Sequence, residues 1–321
     1  MTQKILIIRM METPDVAAIG VPAIRYVKKR LPEASIHCLT FAQGEDIIRL
    51  AEPDVTVFSL AQEQWPADLL AAMEVFLGLA EIIVGQSYDE IINLDTMFMP
   101  CLLARFLKDA GEPVEGNLLS VSVNALIEQF KLQTLKPEFV LHEAEFLVST
   151  WPGMSQWQTH WWLRPEPPET GYPEFYLRRC CGYGSIDMDM ALDVTPAIVD
   201  EGKQYVALSV ATNTPDIAYP FADDIEAALE EQGIRVWRGV DDDTPMQRKL
   251  SMLSGCALLV TVPNGNQWLA SAVNTPTLMI SGPINPLMFM PDYATDMQES
   301  PVAADILVRG IIEVLESQSN A

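Results

Sequence analysis

The stretch Lys4-Ile5-Leu6-Ile7-Ile8-Arg9 decides the fold, because four successive apolar residues between two basic ones are typical of a short, fully buried strand. A polar turn follows at 10–15, and a helical pattern covers 16–30 and ends in Lys28-Lys29-Arg30. Basic side chains suit the last turn of a helix, where the macrodipole is negative. The sequence therefore opens with a strand, a turn and a helix.

The same alternation recurs along most of the chain, in two blocks. The predicted strands are 4–9, 35–40, 55–58 and 88–94 in the first block, and 205–210, 234–237, 257–262 and 277–281 in the second. Strands and helices that alternate at this spacing indicate parallel βαβ units. We therefore predict an α/β protein with two Rossmann-like domains facing a central cleft, with ligands bound at the carboxyl ends of the strands.

A segment rich in tryptophan and proline separates the two blocks. Residues 149–168 contain four tryptophans and four prolines, and repeated proline discourages both helix and sheet. We predict an N-terminal domain over 1–165, a connection over 166–204 and a C-terminal domain over 205–321. The tryptophans either pin the connection onto a domain or stack on a sugar or an acceptor, and both interpretations stay open.

Composition narrows the class of protein. A chain of 321 residues with 49% hydrophobic residues can bury two cores, and long disorder is not expected. No apolar run reaches the roughly 18 residues of a membrane span, and the N-terminal run is too short for a signal peptide. We predict a soluble, cytoplasmic protein without stable membrane insertion.

The formal net charge of −24 is unusually negative for a chain of this length. Such a surface repels nucleic acid and anionic lipid, so no nucleic-acid partner is expected and a soluble or protein partner is favoured. A role in solubility, or adaptation to a saline cytoplasm, explains the charge equally well.

Asp15 is the first candidate for chemistry. It lies in the turn after the first strand, close to Arg9 and directly before the helix. A carboxylate at the mouth of a parallel sheet can act as a general base toward a bound ligand. It can also cap the helix by accepting from its first N–H groups, and the residues alone favour this second role.

A second candidate site is the strand, turn and helix predicted over 260–272. The turn Asn264-Gly265-Asn266 precedes a helix whose first N–H groups have no partner within the helix. Such groups form a ready site for an anion, including a diphosphate.

Together these segments resemble the family-nine glycosyltransferases, the heptosyltransferase family of lipopolysaccharide assembly. The segments that carry the resemblance are Lys4–Arg9, Pro14–Val16, Pro22–Arg25, and Leu250–Pro286 with its closing Gly282-Pro283-Ile284-Asn285-Pro286; Tyr88–Asp95 and Leu102–Arg105 are similar in spacing. The resemblance covers both blocks in order.

The resemblance implies a GT-B fold and an inverting transfer of a sugar from a nucleotide-sugar, usually ADP-heptose, to a hydroxyl group. It makes 1–165 the acceptor-side domain and 205–321 the nucleotide-sugar-binding domain, with no metal or other cofactor required. It also makes Asp15 the candidate base that deprotonates the acceptor. The residues implied in donor binding are Arg9, Thr212, Asn213, Asn264, Gly265 and Asn266. The acceptor would be a glycan, a lipid-linked glycan or a protein, and a homo- or hetero-oligomer is possible.

The sequence departs from the family at the donor turn. The family reads Asp-Ser/Thr-Gly there with a His three residues later, whereas this chain has Pro263-Asn264-Gly265 and Trp268. The basic residue expected after Thr212 is also absent. These departures support an alternative, a catalytically inactive glycosyltransferase-like binding or assembly subunit. A nucleotide-sugar epimerase of the same two-domain shape is a third hypothesis.

Metal and redox chemistry are weaker alternatives. Asp187-Met188-Asp189 has the D-x-D form of metal-dependent glycosyltransferases, and Asp241–Asp243 is a run of carboxylates, so either could hold Mg²⁺ with substrate phosphates. In so acidic a chain, solvated loops are the default interpretation. Five cysteines without a C-x-x-C pair argue against a disulfide framework or zinc site, and the Cys180-Cys181 pair is interpreted as two ordinary thiols.

Overall fold

The computed structural model of the protein describes residues 2–10, 13–66, 68–199, 204–212, 214 and 217–319. Within these residues the chain forms two compact units. The first unit combines 1–159 with 173–189, and the second combines 160–172 with 190–321. The tryptophan-rich segment and the residues after it are therefore shared between the units.

The first unit is built on a six-stranded sheet. Its strands are β1 (Lys4–Ile8), β2 (Ser35–Phe41), β3 (Thr56–Leu60), β4 (Glu90–Asn93), β5 (Val114–Leu119) and β6 (Leu147–Ser149), in the order β3-β2-β1-β4-β5-β6. All neighbours are parallel except β6, which runs antiparallel to β5. The strand order reverses between β1 and β4, and such a switch point is where α/β sheets bind ligands.

Helices pack against this sheet because β1 is apolar on both faces. Leu6 and Ile8 belong to a core that also contains Phe76 and Leu102. Ile5 and Ile7 are equally buried and, by the alternation of a strand, point to the opposite face. The helices are α1 (Thr13–Asp15), a π-helical turn (Val16–Gly20), α2 (Val21–Arg30), α3 (Gly44–Ala51), α4 (Leu69–Val84), α5 (Phe98–Asp109), α6 (Val123–Lys131), α7 (Pro137–Leu141) and α8 (Glu143–Phe146).

The second unit contains a five-stranded sheet whose neighbouring strands are all parallel. Its strands are β7 (Tyr205–Ser209), β8 (Arg235–Trp237), β9 (Leu258–Thr261), β10 (Thr277–Met279) and β11 (Tyr293–Ala294), in the order β11-β10-β9-β7-β8. Here the order reverses between β7 and β9, which creates a second switch point. The remaining helices are α9 (Gly171–Glu174, where the chain passes from one unit to the other), α10 (Ala222–Glu231), α11 (Met246–Gly255), α12 (Asn266–Ala272) and α13 (Ala304–Ser319). The predicted α/β class with two Rossmann-like sheets is confirmed.

The tryptophans of the middle segment are packed against protein. Trp151 is buried, and its Nε1 donates to Glu115 at 2.7 Å. Trp157 donates to Glu143 at 3.3 Å and contacts the ring of Tyr176 edge-on at 4.8 Å. For Trp151 and Trp157, these contacts favour the pinning role over sugar stacking. The segment forms the 3-10 turns Pro152–Gln156 and Trp161–Leu163 and the π-helical turn Phe175–Cys180.

All five cysteines, each within the described ranges, are buried and form no disulfide. Burial raises the pKa of the Cys181 thiol well above its usual value, so Cys181 stays protonated at neutral pH. This agrees with the interpretation of Cys180-Cys181 as ordinary thiols. Among the described residues, no helix combines the length and the apolarity needed to cross a membrane.

Strand β5 was not among the strands predicted from sequence, because its sequence, Val-Glu-Gly-Asn-Leu-Leu, interrupts the apolar run with two polar residues and a glycine. Gly116 has φ +103°, and a Cβ atom there would lie 2.3 Å from the carbonyl oxygen of Asn93 on β4. Both the backbone conformation and the close approach of the two strands therefore require glycine.

We expect Gly116→Ala to lower the free energy of unfolding by about 2 kcal/mol or more, because the new methyl group meets a fixed carbonyl in a strained backbone conformation. The midpoint of urea-induced unfolding measures the effect. Gly78→Ala in α4 is the matched control: a Cβ there meets no atom within 4 Å, and the same substitution should stabilise by about 0.5–1 kcal/mol. Equal effects at the two positions would contradict this account of β5.

Candidate functional site

Three charged side chains, which we call the Arg9 cluster, meet at the switch point of the first sheet. Arg9 directly follows β1, Asp95 comes just after β4, and Asp15 ends α1. Nη2 of Arg9 lies 2.6 Å from Oδ2 of Asp15, and Nη1 lies 3.3 Å from Oδ1 of Asp95. The exposed fractions of Arg9, Asp15 and Asp95 are 5%, 8% and 0%. One guanidinium group thus holds two buried carboxylates.

Backbone groups fix the inner half of the cluster. Oδ2 of Asp95 accepts from the N–H of Met10 at 2.6 Å. Nη1 of Arg9 also donates to the carbonyl of Leu94 at 3.2 Å, and the hydroxyl of Tyr176 donates to the same carbonyl at 2.7 Å. Burial raises the pKa of Tyr176 well above its usual value, so it remains a neutral donor. The guanidinium is therefore held in one place.

Two buried asparagines extend this network to β4 and β5. Oδ1 of Asn93 accepts from the N–H of Asp95 at 3.1 Å. Nδ2 of Asn117 donates to the carbonyl of Asp95 at 3.1 Å and to the hydroxyl of Tyr176 at 2.8 Å. Sequence reasoning missed Asp95, Asn93 and Asn117 as parts of the site. The available signal was Asn93 and Asp95, two polar residues that follow the apolar part of the strand predicted at 88–94.

Asp15 occupies the position predicted for it, at the carboxyl edge of the first sheet. Within the described residues its side chain makes no capping hydrogen bond to the helical turn that follows. Its carboxylate instead accepts from Arg9, and 12% of the side chain is exposed. Among the described residues the structure thus shows no cap by Asp15, and its general-base role stays a prediction.

In the second unit, a carboxylate lies at the corresponding switch point. Asp241, in the loop after β8, accepts through Oδ1 from the hydroxyl of Ser209 at 2.6 Å and from Nδ2 of Asn266 at 3.2 Å. Its Oδ2 accepts from the N–H of Ala211 at 3.0 Å. With Asn264, these residues form what we call the Asp241 cluster.

Asn264 fixes the predicted donor turn. Its Oδ1 accepts from the N–H of Asn266 at 2.9 Å, and its Nδ2 lies 3.3 Å from the hydroxyl of Ser209. Gly265 has φ −67° and directly precedes α12, so its backbone is in an ordinary helical conformation. The structure therefore brings Asn264, Gly265 and Asn266 together beside Asp241.

The other predicted donor residues lie in the loop after β7 and in the first unit. Oγ1 of Thr212, the residue after Ala211, accepts from the N–H of Thr214 at 3.1 Å. Asn213 lies outside the described residues. Arg9, which was also predicted to bind the donor, is held in the Arg9 cluster.

A basic side chain does lie near the Asp241 cluster, although sequence reasoning missed it. Nζ of Lys249, on α11, donates to the backbone carbonyl of Asp242 at 3.2 Å. Burial lowers the pKa of Lys249, while the carboxylates of Asp241, Asp242 and Asp243 act in the opposite direction. No local pattern pointed to Lys249, because it comes from the helix after β8 and not from the loop after β7.

Trp268, which replaces the family His, is a packing residue. It is buried, and its Nε1 donates to the hydroxyl of Tyr172 at 2.9 Å. Its ring stacks on Phe289 with a centroid distance of 6.1 Å and an interplanar angle of 18°. Gly171 permits this packing, since a Cβ there would lie 3.2 Å from the Trp268 ring. An indole in this position cannot neutralise a phosphate.

Both carboxylates of the D-x-D motif form ion pairs. Asp187 lies 3.1 Å from Nζ of Lys29, and Asp189 lies 2.9 Å from Nη1 of Arg25. Both partners are on α2, so the motif ties the end of the first unit to that helix. Across the described ranges, no group of three or more His, Cys, Asp or Glu side chains is arranged to hold a metal ion.

The fold is shared with solved glycosyltransferases. A family-nine glycosyl transferase from Veillonella parvula is similar over 98% of both chains, with a TM-score of 0.66 and 11% identity. The E. coli heptosyltransferase WaaC with ADP is similar over 97% of this chain and 100% of its own, with a TM-score of 0.58 and 14% identity. A Listeria monocytogenes protein described as a putative UDP-N-acetylglucosamine 2-epimerase is similar over 99% of this chain and 89% of its own, with a TM-score of 0.55 and 11% identity.

These similarities define the class: the chain has the GT-B fold. They confirm, as a shared fold, the resemblance to the family-nine glycosyltransferases that the sequence indicated. No protein-family model matches the sequence, and no curated protein matches it.

We expect Arg9→Met to lower the free energy of unfolding by about 3–5 kcal/mol, because Asp15 and Asp95 would lose the guanidinium that compensates their buried charges. Urea-induced unfolding of the full chain measures this. Arg49→Met is the control, since Arg49 forms an exposed pair with Glu45 at 2.7 Å; removing it should cost less than about 1 kcal/mol. A loss at Arg9 no larger than that at Arg49 would show that the cluster is not needed for stability.

Proposed function

We propose that this protein is an inverting glycosyltransferase that moves a sugar, heptose or a similar one, from a nucleotide-sugar to a hydroxyl acceptor. The observation that carries the proposal is the Asp15 carboxylate, which lies 2.6 Å from Nη2 of Arg9 at the switch point of the first sheet. The full-length similarity in fold to glycosyltransferases supports it.

In this proposal Asp15 accepts the proton of the acceptor hydroxyl as that oxygen attacks the anomeric carbon. The new carbon–oxygen bond forms on the face opposite the leaving group, which inverts the configuration. The bond from the anomeric carbon to the diphosphate breaks, and the nucleoside diphosphate leaves with the electron pair. General-base assistance of this kind contributes about 10²–10⁴-fold to a rate.

The donor would be bound in the second unit by the turn around Asn264, Gly265 and Asn266 and by the loop at Thr212 and Asn213. ADP-heptose is the proposed donor, and a glycan, a lipid-linked glycan or a protein is the proposed acceptor. The reaction would take place in the cytoplasm without a metal or other cofactor. The E. coli glycosyltransferase TibC, which is also similar in fold, is dodecameric, and we extend the proposal to an oligomer of this chain.

A second candidate function is a glycosyltransferase-like binding or assembly subunit without catalysis. Two observations favour it. Trp268 is fixed in an aromatic cluster where the family has a basic side chain. Asp241 places a negative charge beside the turn where a diphosphate would bind. Both would weaken stabilisation of the leaving group.

A thermal-shift screen tests the donor site that the transferase requires. The full chain is heated with ADP, UDP, GDP, CMP and their common sugar nucleotides at concentrations up to the millimolar range. A ligand that binds only the folded chain adds about 2.7 kcal/mol at a hundred times its dissociation constant. A shift with one sugar nucleotide would support a donor site and name its base. The absence of any shift would count against the transferase and favour the binding subunit.

The assay uses the sugar nucleotide that raises the melting temperature in the screen. We expect Asp15→Asn to lower the rate at which nucleoside diphosphate is released from it by about 10²-fold or more, because an amide cannot accept the proton. The melting temperature should change little, since the amide oxygen can still accept from Arg9. Asp187→Asn is the control: it removes a carboxylate of the same type from an exposed ion pair and should leave the rate unchanged. Equal rates in Asp15→Asn and the parent would exclude Asp15 as the base.

A further inference from the structure

The Asp241 cluster is an unusual arrangement for a site that is proposed to receive a diphosphate. Its carboxylate lies at the switch point of the second sheet, between the loop that follows β7 and the turn that follows β9. The identity of the natural ligand of this site rests on the proposed function.

The carboxylate takes up the donors that a phosphate oxygen would use. It accepts from a backbone N–H, that of Ala211 at 3.0 Å. It also accepts from a hydroxyl, that of Ser209 at 2.6 Å, and from the side-chain amide of Asn266 at 3.2 Å. These three neutral donors converge on one anionic group, as they do in many anion sites. The anion is supplied by the chain itself.

The charges around the cluster do not offset this carboxylate. Asp242 and Asp243 follow Asp241 directly. The nearby basic side chain is Lys249, whose pKa is lowered by burial although all three carboxylates act in the opposite direction. The ammonium group of Lys249 donates to a backbone carbonyl and not to a carboxylate. A bound diphosphate would therefore meet more negative than positive charge, and like charges at close range repel.

We propose that Asp241 is an internal anion that occupies the phosphate position of the donor site and thereby disfavours the most highly charged ligands. A free nucleoside diphosphate carries one more ionisable phosphate oxygen than its sugar nucleotide, with a pKa of about 6. Asp241 consequently discriminates more strongly against the released nucleoside diphosphate than against the sugar nucleotide. It is a specificity residue that promotes departure of the product.

The test measures binding of inorganic pyrophosphate, a probe that needs no particular base or sugar, by isothermal titration calorimetry at fixed ionic strength. The parent chain is compared with Asp241→Asn, which keeps the shape of the side chain, and Asp241→Ala, which frees the N–H of Ala211. Asp242→Asn is the matched control, because it removes the same charge from the next residue, which is exposed as Asp241 is. Melting temperatures verify that each variant is folded.

We expect both Asp241 variants to bind pyrophosphate about tenfold more tightly than the parent, a change of about 1.4 kcal/mol, and Asp242→Asn to differ by less than about twofold. ADP and UDP should gain more affinity from Asp241→Asn than ADP-glucose and UDP-glucose do. Equal effects of the Asp241 and Asp242 substitutions would overturn the proposal, since only overall charge would then matter.

Two further outcomes are decisive. If the Asp241 variants bind pyrophosphate more weakly, or not at all, the carboxylate is not a competitor of phosphate and the inference fails. If they bind pyrophosphate tightly while neither the parent nor any variant binds a nucleotide or a sugar nucleotide, the internal anion is supported and the proposed glycosyltransferase function fails. The two proposals can therefore be refuted separately.

Discussion

The ion pairing of Arg9 with Asp15 and Asp95 is the interaction on which the first unit depends. It joins the residue after β1 to the end of β4 and to the turn that begins the first helical segment. Two buried carboxylates without a cation would each cost several kcal/mol, so the guanidinium must be in place for the switch point to close. The same geometry leaves a small part of Asp15 open to solvent. Stability and the proposed chemistry therefore make use of the same ion pair.

The second unit also has a switch point, but there the central group is an anion and not a cation. At its switch point a carboxylate gathers neutral donors, and the nearby ammonium of Lys249 donates to a backbone carbonyl. An open sheet places loop residues at its carboxyl edge whatever their charge. The two units therefore share a sheet with a switch point and differ in the charged side chains that lie there. The fold alone therefore does not fix which ligand the second unit binds.

Much of the fold could be predicted from local pattern. The apolar run of β1 and the strand–helix spacing were sufficient to predict two sheets of mainly parallel strands, because buried parallel strands need continuous apolar sequence. Strand β5 was not predicted. Gly116 allows the close approach of β4, and Asn117 donates to Asp95 of the Arg9 cluster, and neither contact is visible in a linear pattern.

The candidate site was predictable to a smaller extent. Asp15 and the turn at Asn264 come a few residues after β1 and β9, so their position at the carboxyl edge could be expected. Asp241 reaches its partners from the loop after a different strand, and only the strand order brings them together. Contacts of this kind are set by tertiary structure and leave no local signal.

The buried cysteines have a practical consequence. Burial raises the pKa of Cys38, Cys101, Cys181 and Cys256, so their thiols are poor nucleophiles toward maleimides and similar reagents at neutral pH. The native chain should therefore give a low background in thiol labelling. A single cysteine introduced on an exposed helix could carry a fluorophore or a spin label without removal of the native thiols, which makes the protein well suited to spectroscopy.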